Sequence, residues 1–420
     1  MNTLKQIAAG YNRISLIGRI AAGIVIGVIL ALVIPQAEWI GIFGDMFVGA
    51  LKAIAPVLVA ILVMSALCQG KGKLDRRFGL VIFYYLLSTF LAAAVAVAAS
   101  FLFPQTLVLA KDVGEQAAPG GLQEVLGRLL MNIIDNPINA IANANYMGIL
   151  FWAAVLGLAL KRGAGEGTKT FLADMADAVS QAVRWVINLA PFGICGLVFR
   201  TVSGNGLDVF TSYGKLVAVL VGSMLLVALV IDPLIIAVSL HTNPYPLVLK
   251  CIRESGLTAF FTRSSAANIP VNMSLCERLG LDREFYSVSI PLGATINMDG
   301  AAVTITIMTL AAAHTLGIQV DLPTALILSV LATLGACGAS GVAGGSLLLI
   351  PMACSLFGIS PDVAMQVVGV GFIIGVIQDS VETALNSSGD VMFAATAEYV
   401  SWKKQGRELP EIVGGTKKLE

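Results

Sequence analysis

CIRESGLTAFFTRSSAANIPVNMSLC, residues Cys251–Cys276, is a largely apolar stretch flanked by Lys250 and Arg278, and it is interrupted at its centre by TRSSAANIP, Thr262–Pro270. Each arm is about ten residues, or about 15 Å of helix, half the thickness of a bilayer's hydrocarbon core. A second stretch, Thr324–Phe357, is broken in the same way by GACGASGVAGGS, Gly335–Ser346, and has no basic residue near either end. Arms this short turn back on themselves, so the two stretches read as re-entrant hairpins, one entering from each side of a membrane. Backbone that leaves the helix within a bilayer must be buried in protein or line a watery cavity, which puts both tips deep in the protein near the midplane.

The rest of the chain agrees with a membrane setting. Of 420 residues 57% are hydrophobic and 12% charged, with 43 glycines and a mean hydropathy of +0.86; an ordinary soluble domain is about half apolar and about a quarter charged. The composition defines an all-α polytopic membrane protein and sets aside a disordered chain, a disulfide-stapled secreted module and a nucleic-acid binder. Lys and Arg together number 26 and so do Asp and Glu, so net charge says nothing about partners. The six cysteines lie scattered in apolar segments without a Cys-x-x-Cys pair and read as small buried hydrophobes. His241 and His314 each stand alone, which argues against a histidine metal centre. Leu16–Ile34 is followed by Pro35 and no small-x-small cleavage site, so it reads as a retained membrane helix.

Stretches long enough to cross the hydrocarbon fall at about 16–34, 46–68, 79–103, 129–160, 185–203, 213–240, 287–314 and 362–397, eight crossings in all. Basic residues collect at Lys5, Arg13 and Arg19, at Lys71–Arg77, at Lys161–Lys169, at Lys250 and Arg253, at Arg278 and Arg283, and at Lys403–Lys418. The connections at 35–42, 203–209, 315–322 and 357–361 contain none, so the positive-inside rule makes both termini cytoplasmic. Trp39 and Trp402 fit interfacial belts.

Each hairpin is followed by a crossing with an Asn and Asp cluster: Asn297-Met298-Asp299-Gly300 after the first, Asn386-Ser387-Ser388-Gly389-Asp390 after the second. Interrupted segments in matching positions of two halves are the pattern of an inverted repeat and point to a transporter's binding site. In the last crossing Asp379, Glu382, Thr383, Asn386 and Asp390 share an arc of about 100°. Three carboxylates on one face, with no basic residue in that apolar helix, call for cations. Carboxylate, hydroxyl, amide and backbone oxygens suit hard ions, and sodium is the economical choice. A further carboxylate suits an amino acid's ammonium, and helix N-termini at the hairpin tips suit its carboxylate.

These motifs resemble the dicarboxylate/amino acid:cation symporters, the glutamate-transporter fold. TRSSAANIP, the NMDG of Asn297–Gly300, the glycine-rich second hairpin and Asn-x-x-Gly-Asp at Asn386–Asp390 occur in that family's order. Tyr85, Ser88 and Thr89 answer to its Tyr-x-x-Thr-Ser element, and DNPINAIANANYMGILFWAAVLGLAL, Asp135–Leu160, resembles its fourth crossing. The resemblance implies eight transmembrane helices plus two re-entrant hairpins, with a homotrimer in the bacterial inner (plasma) membrane. It implies a scaffold at 10–68 and 104–208, a transport domain at 75–103 and 209–400 containing hairpins 251–276 and 324–357, and a cytoplasmic tail at 401–420. It implies no cofactor beyond sodium as the coupling ion. One sodium site would take Gly293, Asn297, Asn386 and Asp390, a second Tyr85, Ser88, Thr89, Asn297 and Asp299, and a third Thr295 with carbonyls near Gly335–Ala339. Asp379 would hold the substrate ammonium, with Asn386, Ser265 and the amides of Ser340, Gly341 and Val342 around the carboxylate and Thr383, Glu382 and Ala301 lining the site.

The sequence departs from the family's acidic-substrate members at two positions. Those members have Arg where Glu382 stands, and Thr after NMDG where this chain has Ala301. Both changes remove partners for a side-chain carboxylate, which favours a small neutral hydroxylated amino acid such as serine or threonine over an acidic amino acid or dicarboxylate. Arg263 leaves two options open, a pair with Glu382 or recruitment of an anionic substrate. Asp232, followed by Pro233, fits none of these motifs and reads as a kink near the cytoplasmic interface. Enzyme readings are set aside: an intramembrane aspartyl protease lacks its second aspartate motif, and a serine hydrolase lacks a histidine near a serine. A channel shares the cavities of a transporter and is separated from it by saturable, coupled counterflow.

Overall fold

Asparagine, proline and glycine positions decide where the helices stop. The computed structural model describes residue 14 and residues 16–69, 76–109, 134–337, 339 and 344–415; among these the chain is helical, with no strand. Helix α1 (Leu16–Val33) stops before Pro35, α2 (Gly41–Cys68) follows a short turn at Glu38–Ile40, and α3 (Arg76–Leu102) stops before Pro104. Asn136 caps α4 (Pro137–Ala142) by accepting from the Ile138 and Asn139 amides, and Asn145 caps α5 (Tyr146–Gly163). Helices α6 (Glu166–Asn188) and α7 (Ala190–Asn205) are bent by 51° at Leu189.

Helix α8 (Val209–Leu226) runs through a π-helical segment, Val227–Ile231, into α9 (Asp232–Leu240). Pro233 has no N–H to give the Leu229 carbonyl, and the Tyr245 hydroxyl donates to that carbonyl instead at 3.2 Å. A π segment also joins α10 (Tyr245–Cys251) to α11 (Leu257–Thr262), at Ile252–Gly256. Arg263 then adopts φ +51°, and the Ser264 side chain caps α12 (Ser265–Arg278). Asp282 caps α13 (Arg283–Ile296), and the helix breaks at Asn297-Met298 before α14 (Asp299–Thr315). Asp321 caps α15 (Leu322–Ala336), and the Thr324 hydroxyl and amide hold its carboxyl below the ordinary range. A 3-10 turn at Ser346–Leu349 leads into α16 (Ile350–Ser355), and α17 (Pro361–Lys404) is a single 44-residue helix.

Five of the described helices are long and apolar enough to cross a membrane, six if α6 and α7 count as one bent span. Shorter apolar helices cover residues 18–33, 322–336 and 346–355. The expected crossing at 129–160 begins before the described residues, and its described part is broken at Asn143–Asn145. The crossing expected at 185–203 falls mostly on α7 and takes in only the end of α6; α6 begins at Glu166 with charged residues on one face and apolar ones on the other, so a search for continuous apolar runs passes over it. The crossing expected at 287–314 is two helices. Asp232 is fully buried and immediately follows the π segment Val227–Ile231.

Helices α1, α2, α5, α6 and α7 pack on one another, while α3 and α8–α17 pack around α14 and α17. Glycine allows the closest approach in the first group: a Cβ at Gly23 would stand 2.3 Å from the Pro191 carbonyl oxygen. In the second group burial sets the centre apart. The α13–α14 span is 94% buried and α17 83%, against 41–50% for the spans of α2, α3 and α8–α9. The most enclosed helices are the ones that carry the Asn and Asp clusters.

Candidate substrate and cation site

Where α11 ends, the left-handed backbone of Arg263 sends its side chain to α17. Its Nε donates to Asp379 Oδ2 at 2.6 Å and its Nη2 to the Gly375 carbonyl at 3.3 Å. The Gly344 amide, from the second broken segment, donates to Asp379 Oδ1 at 3.0 Å. Both charged residues are buried, Arg263 at 7% exposure and Asp379 at 2%. They line a narrow cleft whose other walls are apolar, Leu16 and Ile20 of α1, Ile187 and Ala190 at the α6–α7 bend, and Phe372. Arg263 thus pairs with Asp379 and not with Glu382. Thr383 donates to the Asp379 carbonyl of its own helix, Ser265 is buried at the start of α12, and Ser340, Gly341 and Val342 lie outside the described residues.

One turn further, Glu382 turns away from Arg263 toward α14. Its Oε2 accepts from Thr304 Oγ1 at 2.7 Å, Ser346 Oγ at 2.9 Å and Gln378 Nε2 at 2.5 Å. Gly300 lets α14 come this close, since a Cβ there would be 2.7 Å from the Glu382 Cα. Ala301 beside it is fully buried. The repulsion expected of three carboxylates on one face is met here by a guanidinium at Asp379 and by three donors at Glu382.

The third carboxylate has neither. Asn297 Nδ2 donates to Asp390 Oδ1 and to the Asn386 carbonyl, both at 3.1 Å, and the Gly300 amide donates to Asn386 Oδ1 at 2.8 Å. Tyr85 donates to the Asp390 and Ser289 carbonyls at 3.2 Å. Asp299 Oδ1 accepts from Ser88 at 3.0 Å and Thr89 at 2.8 Å. Among the described residues Asp299 Oδ2 and Asp390 Oδ2, both buried, have no hydrogen-bond partner. Gly293 makes room for this cluster: a Cβ there would lie 2.6 Å from Asp390 Oδ1 and 2.9 Å from the Tyr85 hydroxyl. The donor set offers oxygen, with two orphaned carboxylate atoms, and so suits a hard cation.

Tyr85, Ser88, Thr89, Gly293, Asn297, Asp299, Asn386 and Asp390 are therefore brought together. Thr295 is not: it is exposed, and its hydroxyl donates to the Leu292 carbonyl at 2.7 Å. Sequence reading missed the donors to Glu382, although Gln378 stands one turn before it on the same helix face. It also missed a buried network between α12, the π segment Ile252–Gly256 and α17, in which Asn268 donates to Ser255 and Ser387 Oγ at 3.0 and 2.8 Å and Asn272 donates to the Ser387 carbonyl at 3.0 Å. The spacing of Asn268 and Asn272, one turn apart in an otherwise apolar arm, was the available signal.

Enclosed polar helices, two broken segments that converge on them and a cleft holding opposite charges define a multi-pass membrane transporter. The chain matches the sodium:dicarboxylate symporter family over residues 16–399 and belongs to that family. It is 66% identical over 410 residues to a serine/threonine transporter of Bifidobacterium adolescentis, covering 98% of this chain and 95% of the relative. A serine/threonine transporter of Streptococcus thermophilus is 60% identical over 402 residues, covering 96% and 100%, and one of Streptococcus agalactiae is 59% identical over 396 residues, covering 94% and 98%. The protein is a transporter and not an enzyme.

Proposed function

We propose that the protein carries serine and threonine into a bacterial cell across the inner (plasma) membrane, coupled to sodium, by alternating access. The observation that carries this reading is the cleft in which Arg263, Asp379 and the Gly344 amide meet. An amino acid's backbone is itself one cation and one anion, and this cleft offers a partner for each. The substrate ammonium takes Asp379; its carboxylate takes the amides at the hairpin tips, Ser340–Val342, with Ser265 and Asn386 beside it and Thr383 and Ala301 on the wall. Glu382 stands where a guanidinium would be needed for an acidic side chain. The names of the relatives agree with a small hydroxylated substrate.

Sodium enters as co-substrate. Gly293, Asn297, Asn386 and Asp390 would form one site, and Tyr85, Ser88, Thr89, Asn297 and Asp299 a second; the orphaned oxygens of Asp299 and Asp390 are what a cation would take up. Thr295 and carbonyls at Gly335–Ala339 are the candidates for a third. Asn386 borders both substrate and ion groups, so each ligand strengthens the other by the same factor. The accompanying architecture is eight crossings with two re-entrant hairpins and cytoplasmic termini, assembled as a homotrimer. The helices around α1, α2, α5 and α7 are the fixed scaffold and those around α14 and α17 the moving part.

Uptake of radiolabelled serine, threonine, aspartate and succinate into proteoliposomes under sodium, lithium, potassium and proton gradients tests the reading. Saturable, sodium-driven serine uptake is expected. Arg263 is the feature that favours the other reading, a sodium-coupled acidic amino-acid or dicarboxylate symporter, and aspartate carried as well as serine would replace the first reading with it.

A further inference from the structure

Asp232 is not among the residues of these sites, yet no buried carboxylate among the described residues is less satisfied. It is fully buried, and among the described residues neither of its side-chain oxygens has a hydrogen-bond partner. Removing a carboxylate from water without a partner costs several kcal/mol, so a cation of some kind must offset it. Its position is fixed by helix register. Ser239, seven residues along the same face of α9, meets the hydroxyl of Tyr84 on α3. Asp299 is held by Ser88 and Thr89, about one turn along α3 from Tyr84, and α9 packs on α3. The π segment Val227–Ile231, which packs on α3, sits immediately before Asp232 and puts an extra residue into the preceding turn; such bulges re-aim side chains at functional sites. Two buried carboxylates therefore share a region in which three of their four oxygens are orphaned.

We infer that Asp232 is a cation ligand, and that its carboxylate and Asp299 Oδ2 bind a sodium ion between α3, α9 and α14. This inference rests on the sodium-coupled reading above. It adds to that reading a helix, α9, that none of the sequence motifs implicated. A sodium ion there supplies the positive charge that the described residues around Asp232 and Asp299 do not.

The test is equilibrium binding of radioactive sodium to the purified full-length protein in lipid nanodiscs, without substrate, with intrinsic tryptophan fluorescence as a second readout. Wild-type protein that binds no sodium would overturn the sodium-coupled reading itself. If wild-type protein binds sodium, Asp232→Asn is expected to bind one ion fewer per chain, or to require about tenfold more sodium for half-saturation. Wild-type number and affinity in this variant would overturn the inference and leave the coupling reading intact. Should Asp232→Asn fail to give monodisperse protein, sodium-induced difference infrared spectra of wild type and Asp232→Glu decide. A carboxylate band that shifts with sodium and moves in Asp232→Glu supports the inference. A protonated carboxyl band at that position, unchanged by sodium, means that a proton holds the site and overturns it.

Discussion

Asp379 and Asp390 are eleven residues apart on the same face of α17, and their surroundings are opposite. Asp379 has a guanidinium at 2.6 Å and a backbone amide at 3.0 Å. Asp390, with Asp299 across from it, has amide and hydroxyl neighbours and leaves an oxygen without a partner among the described residues. A site that contains its own counter-charge keeps its shape when empty and asks an incoming zwitterion to divide an existing ion pair. A site without one is incomplete until a cation arrives from outside. It is on this contrast that the proposed function assigns one end to substrate and the other to the coupling ion.

The largest effect is expected from breaking the arginine-paired end. Asp379→Asn removes the carboxylate proposed to pair with the substrate ammonium, a loss of about 3 to 5 kcal/mol, or about two to three and a half decades of affinity for every zwitterionic substrate. Serine binding and uptake measure it, and near-normal transport would remove Asp379 from the site. Combining Arg263→Ser with Asp379→Ser sharpens the point: thermal unfolding of the double variant should lie above that of either single variant, because no orphan charge remains. At the other end, Asp390→Asn should raise the sodium concentration for half-maximal uptake by about tenfold. Serine affinity at saturating sodium should change far less; an equal loss of both would erase the distinction between the two ends.

Gly293→Ala is a smaller perturbation of that second end. Its added methyl would stand 2.6 Å from Asp390 Oδ1, so the carboxylate must shift. A cost of about 1 to 3 kcal/mol is typical of such overpacking. The sodium-induced rise in unfolding temperature should shrink, and an unchanged rise would mean that the carboxylate does not hold the ion. Thr295→Ala should do least, within about 0.5 kcal/mol in stability, since Thr295 is exposed and bonded to its own helix. A small rise in the sodium requirement of that variant is expected from the proposed third site, and an unchanged requirement would remove Thr295 from it.

How much of this was legible in the sequence follows from the range of each interaction. The break at Arg263-Ser264 and the polar stripe of α17 are local, so polar interruptions of apolar runs disclosed them, whereas the break at Asn297-Met298 falls inside a stretch that reads as one crossing. The Arg263–Asp379 pair spans 116 residues, and the sequence offered Arg263 only Glu382 or an anionic substrate as partner, so this contact was not reached. Only the three donors gathered on Glu382 from α14, α17 and the second broken segment show why it turns elsewhere. Helix α6 escaped notice because its charged residues divide its apolar face into pieces too short for a crossing. Asp232 was visible as an anomaly, but its burial and its orphaned oxygens belong to tertiary packing.

Helix α17 runs for 44 residues without a break, about 66 Å at 1.5 Å per residue, more than twice the thickness of the hydrocarbon. It therefore works as a yardstick. The spacing of Asp379 and Asp390, about 16 Å along its axis, stays fixed whatever the rest of the molecule does. Under the proposed function, an ion at one end cannot act on the other by shortening that interval; the contacts that connect the two ends sideways are the break at Asn297-Met298 and the second broken segment, which supplies Gly344 and Ser346. The far end of the same rod emerges at Lys404, exposed beyond Trp402. A spectroscopic label there would read the tilt of both carboxylates at once without touching either.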